Sequence, residues 1–163
     1  GTDTLGFNTA LGAFNYDMQT GILSYSGGSM QATGFERVLG TNGHDTMTGA
    51  STDDYFSGGL GNDVLVGNGG NDTLFGATGD DVLTGGSGND QFSFSGNHGL
   101  DVINDFQGGG ATAGDIIRIL GSSFGALSFS QSGADAIITH AGGSITLIGV
   151  NSASLTADDF VFA

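Results

Sequence analysis

Residues 40–93 consist of six consecutive nine-residue units, which read GTNGHDTMT, GASTDDYFS, GGLGNDVLV, GNGGNDTLF, GATGDDVLT and GGSGNDQFS. Every unit has glycine in the first place, aspartate in the sixth and a large apolar residue in the eighth. Nothing is inserted between the units. A fixed short period of this kind is typical of a stacked repeat, in which each unit contacts its neighbours and buries their shared apolar side.

The residue types of one unit predict a tight turn followed by a short strand. Glycine in the first and usually the fourth place permits positive φ angles, so the first six residues can form the turn. Side chains alternate along the last three residues, and the eighth then points to the opposite face from the seventh and ninth. We therefore predict a parallel roll of two sheets with two units per turn. Its predicted core is Met47, Phe56, Leu65, Leu74, Leu83 and Phe92.

The sixth-place aspartates predict a ladder of negative charge along each edge of this roll. Turns of alternate units would stack about 4.8 Å apart, and two carboxylates at about 5 Å repel by roughly 3 kcal/mol at an effective dielectric near 20. Calcium is the expected counter-ion, because it takes carboxylate and carbonyl oxygens in flexible geometry. The chain has no cysteine and no clustered histidine for zinc or copper. The aspartates are Asp45, Asp54, Asp63, Asp72, Asp81 and Asp90.

The repeat matches the GGxGxDxUx nonapeptide of calcium-binding parallel β-rolls. On these motifs the chain closely resembles the RTX (repeats-in-toxin) family of haemolysin-type calcium-binding repeats. The resemblance implies an all-β fold, a right-handed parallel β-roll with β-strand caps at both ends, and several bound Ca²⁺ ions. It divides the chain into an N-terminal cap at 1–39, the roll at 40–93 and a C-terminal cap at 94–163 that carries a type I secretion signal.

We expect backbone carbonyls of the first, third and fifth places to complete the calcium ligand sets. Unit two should form the weakest set, since Thr52 replaces a glycine and a branched residue disfavours that conformation. Residues 99–106 resemble the G-x-D-x-I-x-D-F segment that closes RTX rolls, which implies one further site with Asp101 and Asp105. The expected carbonyl ligands are Gly40, Asn42, Gly49, Gly58, Leu60, Asn62, Gly67, Gly69, Asn71, Gly76, Thr78, Asp80, Gly85, Ser87 and Asn89.

The flanking segments lose the period but contain short apolar runs separated by glycine and polar turns, which predict further strands. Before the array these strands are expected at 11–16, 22–25, 30–33 and 35–39, and after it at 115–120, 127–130, 136–139 and 144–150. A flexible loop is expected at 108–114. Within the array, Val64, Val66 and Val82 form an outward apolar patch, which we expect the C-terminal segment to cover.

The composition excludes several classes of function. The 163 residues carry a formal charge of −15 with only two arginines and no lysine, which argues against a basic patch for nucleic acid. There is no long apolar span, so membrane insertion is not indicated. His44, His98 and His140 are scattered, and no zinc-protease, serine-hydrolase or P-loop motif occurs. We therefore find no enzyme in this chain.

The array should fold only with its metal, because one inward-facing apolar residue per unit makes a thin core against the entropy of ordering the turns. The chain starts without methionine, and residues 1–5 read like the tail of a repeat, so we expect a piece from the C-terminal end of a larger exported protein. The resemblance implies passage through a type I secretion apparatus, calcium-driven folding outside the bacterial cell and stabilisation of upstream domains. Two alternatives are an accessory domain of a secreted protease, lipase or alginate epimerase, where such modules help to bind a polymer, and part of a cell-surface adhesin or surface-layer protein.

Overall fold

The computed structural model describes residues 2–7, 12–26, 28–108 and 114–163. Within these ranges the secondary structure consists of β-strands and three short 3₁₀ turns. None of these helical turns is long and apolar enough to cross a membrane. The strands are β1 (Thr4–Gly6), β2 (Phe14–Asp17), β3 (Ile22–Tyr25), β4 (Gly28–Gln31), β5 (Arg37–Leu39), β6 (Thr46–Thr48), β7 (Tyr55–Leu60), β8 (Val64–Gly69), β9 (Thr73–Thr78), β10 (Val82–Ser87), β11 (Gln91–Phe94), β12 (Gly99–Ile103), β13 (Ile116–Ile119), β14 (Ser128–Ser132), β15 (Asp135–His140), β16 (Gly143–Leu147) and β17 (Phe160–Phe162).

The strands form two sheets, and the six repeat units alternate between them. The seven-stranded sheet has the order β1-β5-β7-β9-β11-β13-β17, and all its pairs are parallel. The ten-stranded sheet has the order β14-β15-β16-β12-β10-β8-β6-β2-β3-β4. Its central pairs from β16 to β2 are parallel, and antiparallel strands continue it at both ends. The predicted parallel β-roll with two units per turn is confirmed.

The eighth-place residues form the core between the sheets. Within one sheet they lie opposite one another in register, with Phe56 against Leu74 and Leu74 against Phe92. All six of these side chains are 0% exposed. Burying a side chain of this size contributes about 1.5–3 kcal/mol relative to leaving it in water. The alternation of inward and outward residues therefore confirms the predicted core.

The core continues beyond the array, because the flanking strands join the same two sheets. Leu5 of β1 lies opposite Val38 of β5, and Val38 lies opposite Phe56. On the other side, Ile117 of β13 lies opposite Phe92. The flanking strands thus repeat the pairing of the array although their sequence has lost its period.

The structure corrects the predicted extent of several strands. β7 to β10 run for six residues each, through the last three places of one unit and the first three of the next, where we expected strands of three. The strand expected at 11–16 is observed as β2, and its first residue lies outside the described residues. Most of the loop expected at 108–114 also lies outside them.

The C-terminal segment does not cover the valine patch. β16 pairs edge to edge with β12 and lengthens the ten-stranded sheet, and the side chain of Val64 remains 38% exposed. The prediction was wrong because it considered only apolar area. The free edge of β12 offers a row of backbone N–H and C=O groups, and pairing with that edge satisfies them.

Candidate metal centre

The turns of units three to six share a backbone conformation that units one and two do not adopt. Positive φ angles occur in the second and fourth places, and not in the first place as we predicted. Ala77 takes φ 78° in the second place, a conformation that usually favours glycine. The residues with positive φ are Gly59, Asn68, Ala77 and Gly86 in the second place and Gly61, Gly70, Gly79 and Gly88 in the fourth.

Glycine is required in the first place because oxygen atoms of the protein lie very close to its Cα. A Cβ atom added to Gly58 would lie 2.1 Å from Asp63 Oδ2 and 2.7 Å from the carbonyl oxygen of Gly76. The same atom on Gly67 would lie 2.1 Å from Asp72 Oδ2 and 2.6 Å from a carbonyl oxygen of the next stacked turn. A carboxylate oxygen and a carbonyl oxygen therefore converge beside each of these glycines, in a space that any side chain would fill.

The sixth-place aspartates form two ladders, one along each edge of the roll. The backbone N–H of Asp63 donates to Asp81 Oδ1 at 2.8 Å, and that of Asp72 donates to Asp90 Oδ1 at 2.8 Å. The same bond joins every rung to the next stacked turn. All the rungs are buried. One ladder contains Asp45, Asp63, Asp81 and Asp101, and the other contains Asp54, Asp72, Asp90 and Asp115.

The second oxygen of each inner rung has no partner among the residues that the structure describes. The Oδ2 atoms of the inner rungs are buried and accept no hydrogen bond in the described part of the chain. Buried polar atoms are almost always paired, since leaving one unpaired costs about 1–3 kcal/mol and more for a charged group. These four carboxylate oxygens are therefore suited to bind a cation. The inner rungs are Asp63, Asp72, Asp81 and Asp90.

At the N-terminal end of each ladder, protein groups donate hydrogen bonds to the corresponding Oδ2 atom. Asp45 Oδ2 accepts hydrogen bonds from the backbone N–H of Thr41 at 2.7 Å and from its hydroxyl at 3.0 Å. Asp54 Oδ2 accepts the backbone N–H of Ala50 at 2.9 Å. Because these turns provide their own donors, the rungs of units one and two differ chemically from the inner four.

The C-terminal rungs are also satisfied. Asp101 Oδ2 contacts Nδ1 of His98, and Asp115 Oδ2 accepts the backbone N–H of Gln107 at 2.8 Å. Asp105, which we expected to join Asp101 in a closing site, accepts backbone N–H groups on both of its oxygens. Each ladder therefore has two open rungs, whose Oδ2 atoms have no partner among the described residues, and they lie between satisfied rungs, whose Oδ2 atoms contact a protein donor.

Burial raises the pKa values of the inner rungs. It is the largest cause for Asp63 and Asp72, whose pKa values rise to about 7, and for Asp81, whose pKa rises to about 6. The hydrogen bond to a backbone N–H acts in the opposite direction, and repulsion from stacked aspartates adds to the rise. The pKa of Asp90 is raised for the same reasons. At neutral pH these sites favour either a proton or a metal cation.

The fifth-place side chains form a second ladder that we did not predict. Asn62 Oδ1 accepts the backbone N–H of Asp80 at 3.1 Å, and Asp80 Oδ1 accepts that of Leu100 at 2.9 Å. Asn71 Oδ1 likewise accepts the N–H of Asn89 at 2.9 Å. The signal was available, because the fifth places hold only histidine, aspartate and asparagine, all of which can accept a hydrogen bond. This ladder uses the one side-chain oxygen of Asn62 and of Asn71, so the backbone carbonyls of these two residues remain as their available metal ligands.

Some of the other expected carbonyl ligands already accept hydrogen bonds within the protein. The third-place carbonyls of Thr78 and Ser87 accept the N–H groups of Gly61 and Gly70, both at 3.0 Å, and keep a second lone pair. The carbonyl of Gly49 accepts a bond from an asparagine side chain. Gly40 and Asn42 belong to the turn of unit one, whose aspartate is already satisfied.

The donor set favours calcium. Within the described ranges, no three or more histidine, aspartate or glutamate side chains converge as a metal-binding group. A ligand set at an open rung must therefore combine a few carboxylates with backbone carbonyls of stacked turns. Calcium accepts six to eight such oxygens in flexible geometry, whereas zinc and copper favour nitrogen and sulfur ligands.

The fold and the open rungs define a class of protein, the parallel β-rolls with metal-accepting turns. The family model for the RTX calcium-binding nonapeptide repeat matches residues 32–65, 57–92 and 66–101. The chain belongs to this family. No curated protein sequence matches it significantly.

Solved structures of known proteins share this fold. The chain is similar to the R2 subunit of the mannuronan C5-epimerase AlgE6 of Azotobacter vinelandii, with 30% identity over 78% of this chain and 92% of the other and a TM-score of 0.58. The R3 subunit of the same epimerase gives 28% identity, coverage of 77% and 79%, and a TM-score of 0.57. The extracellular lipase LipA of Serratia marcescens gives 21% identity and a TM-score of 0.59 over 100% of this chain and 34% of the lipase, a likeness of fold alone.

Proposed function

We propose that the chain is a calcium-dependent folding module of a larger exported protein, and that it binds four Ca²⁺ ions. The proposal is supported by the four buried Oδ2 atoms that accept no hydrogen bond from the described residues. Each ion takes one of these carboxylate oxygens together with carbonyl oxygens of the stacked turns. The ligating aspartates are Asp63, Asp72, Asp81 and Asp90, two on each edge of the roll.

The same chemistry makes the fold conditional on calcium. Without the ion, closing the roll buries four carboxyl groups, and each must remain charged and unpaired or take up a proton. The free energy of ion binding is gained only in the folded state, so it drives folding. The chain then stays unfolded at low calcium inside the cell, passes through a type I secretion apparatus, and folds outside to stabilise the domains attached to it.

Counting bound ions tests the ligand assignment. We expect four calcium ions per wild-type chain by native mass spectrometry or calorimetry. Asp72→Asn should bind three, because it removes one ligating oxygen. Asp54→Asn is the matched control on the same edge, and it should retain four because its turn satisfies the aspartate internally. Loss of an ion in the control with none lost in Asp72→Asn would contradict the assignment.

A second candidate function is that of an accessory domain that holds an acidic polymer for a secreted enzyme. Both arginines lie on the outer face of the seven-stranded sheet. Arg37 Cζ stacks 4.0 Å from the centroid of the Tyr55 ring, and Arg118 lines a cavity of about 300 Å³ with Tyr55 and Phe75. The one ion-pair contact among the described residues joins His98 and Asp101, so neither arginine is neutralised by a described carboxylate. The epimerase neighbours make mannuronan the first polymer to test.

Affinity electrophoresis with mannuronan oligomers tests this second function on the calcium-loaded chain. We expect retardation in the wild type and its loss in Arg118→Ala. Val64→Ala, on the outer face of the other sheet, is the matched control and should be retarded like the wild type. Equal mobility of all three chains with and without the oligomers would exclude this function and leave the folding role intact.

A further inference from the structure

A seventh nonapeptide follows the array after an insertion of two residues. Residues 96–104 read GNHGLDVIN, with glycine in the first and fourth places, aspartate in the sixth and a buried isoleucine in the eighth. Two features match the inner units, since Gly99 takes φ 97° in the fourth place and Asp101 Oδ1 accepts the N–H of Asp81 at 2.9 Å. The backbone of the first two places differs, because Gly96 has φ 59° and the second place has no positive φ. The third place also differs, since it is histidine here and in no other unit.

This histidine contacts the atom that is free in the inner rungs. Nδ1 of His98 pairs with Oδ2 of Asp101. By the repeat register, that oxygen corresponds to the unpaired Oδ2 atoms of the four inner aspartates. Both members of the pair are buried, and His98 is 1% exposed. The imidazole therefore occupies, beside Asp101, the position that is open beside Asp81.

Hydrogen bonds fix the proton of His98 on the nitrogen that faces Asp101. The N–H of Gly142 donates to Nδ1 of His140 at 3.2 Å, which places the proton of a neutral His140 on Nε2. This Nε2 lies 2.7 Å from Nε2 of His98 and donates to it. His98 must then carry its own proton on Nδ1, toward the carboxylate.

Packing holds the imidazole in this place. The ring of Phe94 lies 5.0 Å from that of His98 between centroids. On another side, a Cβ atom on Gly143 would come within 2.9 Å of His98 Cε1, so the backbone of β16 lies directly against the ring. A cation at Asp101 would have to displace a buried, doubly hydrogen-bonded side chain.

We propose that His98 closes the rung at Asp101 against calcium and so sets the C-terminal end of the ion array on this edge. The inference rests on the proposed calcium function and assigns a residue that determines the number of ions. His98 donates a hydrogen bond to the carboxylate oxygen that the inner rungs offer to a metal. His140 positions it by fixing its tautomer.

The variant His98→Gly tests the inference by gain of a site. It changes residues 96–99 from GNHG to GNGG, which is the sequence of residues 67–70 in unit four. We expect one more calcium ion than in the wild type, five against four, by native mass spectrometry. Asn97→Gly, at an exposed position of the same turn, is the control for an added glycine and should leave the count unchanged. An unchanged count in a folded His98→Gly chain would overturn the proposal.

Asp101→Asn provides a test that does not depend on the fold of the glycine variant. If His98 closes this rung, Asp101→Asn binds as many ions as the wild type, and loss of one ion would overturn the proposal. The wild-type count tests the calcium function itself. The difference between each variant and the wild type tests His98, so the two can fail separately.

Discussion

The sixth-place aspartate uses its two oxygens for different tasks. At the six rungs from Asp63 to Asp115, Oδ1 accepts a backbone N–H from the preceding stacked turn and aligns the turns. Among the described residues, Oδ2 is open only at the four inner rungs. An asparagine would keep the first task, because its carbonyl oxygen can still accept, and would lose the anionic oxygen of the second.

Replacing Asp81 by asparagine should therefore destabilise the calcium-loaded chain without unfolding it. At calcium concentrations 100 to 1,000 times the dissociation constant, losing one site costs about 2.7–4.1 kcal/mol. Asp45→Asn, at a satisfied rung of the same ladder, loses a hydrogen bond from the N–H of Thr41 and no ion, so its cost of about 1–3 kcal/mol should not depend on the calcium concentration. Urea unfolding at several calcium concentrations above the dissociation constant gives both dependences. The same dependence on calcium in the two variants would show that the open oxygens have no special role.

A methyl group on a first-place glycine should abolish its site by steric conflict. In Gly58→Ala the new Cβ would meet Asp63 Oδ2 at 2.1 Å and displace the carboxylate. We expect a loss of about 2–4 kcal/mol, typical of overpacking combined with a lost ligand, and one calcium ion fewer. Gly125→Ala is the control, since a Cβ there meets nothing within 4 Å and its φ is not positive. Wild-type ion binding in Gly58→Ala would contradict this account.

At the scale of the turn and strand, the features that recur every nine residues could be predicted from the sequence. The apolar eighth place predicted the core, and the aspartate and glycine places predicted two edges of stacked turns. The prediction of positive φ in the first place was wrong, because glycine there leaves room for the carboxylate of its own unit and, at Gly58 and Gly67, for a carbonyl oxygen of the next stacked turn. Ala77 shows the same limit, since its left-handed conformation is imposed by the stack and not by its own preference.

The repeat marked unit two as the weakest ligand set through Thr52, but the other satisfied rungs could not be predicted from it. Asp45 and Asp63 occupy the same place of the motif, and they differ through Thr41, whose N–H and hydroxyl reach the carboxylate only in the folded turn. His98 is separated from the array by an insertion, and His140 reaches it across a sequence separation of 42 residues. Contacts of this kind depend on tertiary structure.

The stacked turns should make the calcium-free fold sensitive to pH. The pKa values of Asp63 and Asp72 rise from 3.8 to about 7 in the fold, and that of Asp81 rises from 3.8 to about 6. The folded state thus binds protons more tightly than the unfolded state. The resulting stability is fully present below pH 3.8 and is lost as the pH rises through about 6 to 7.

Acid should therefore partly replace calcium. We expect the calcium-free chain to gain β structure as the pH is lowered from about 7 toward about 4, measured by far-ultraviolet circular dichroism. The variant with asparagine at all four inner rungs is the control, since it has lost the groups that titrate and should respond less. A β signal that increases with rising pH in the calcium-free wild type would contradict the sign of this linkage.

At the scale of the whole molecule, two continuous sheets connect the array to its flanks. We propose that the segments before residue 40 and after residue 93 cap the roll by extending its sheets. β13 and β17 continue the seven-stranded sheet, and β2 to β4 continue the other. Folding of the array and of its flanks should then be coupled.

Truncating a core residue in the C-terminal flank should shift the calcium dependence of the whole roll. Ile117 is 0% exposed in β13, and Ile117→Ala should cost about 2–5 kcal/mol. We expect a higher calcium concentration at the midpoint of folding, although no proposed ligand is touched. Val161→Ala, at an outward position that is 40% exposed, is the control and should leave the midpoint unchanged. An unchanged midpoint in Ile117→Ala would show that the flank folds separately.

The most direct test of calcium-dependent folding is a calcium titration of the wild-type chain at neutral pH, followed by far-ultraviolet circular dichroism with magnesium as the control. We predict a coil spectrum in chelator, a cooperative transition to β structure with calcium and no such transition with magnesium, which demands a more rigid octahedral site. A full β spectrum in chelator would contradict the central claim, because calcium would then be at most a stabiliser of a roll that folds without it.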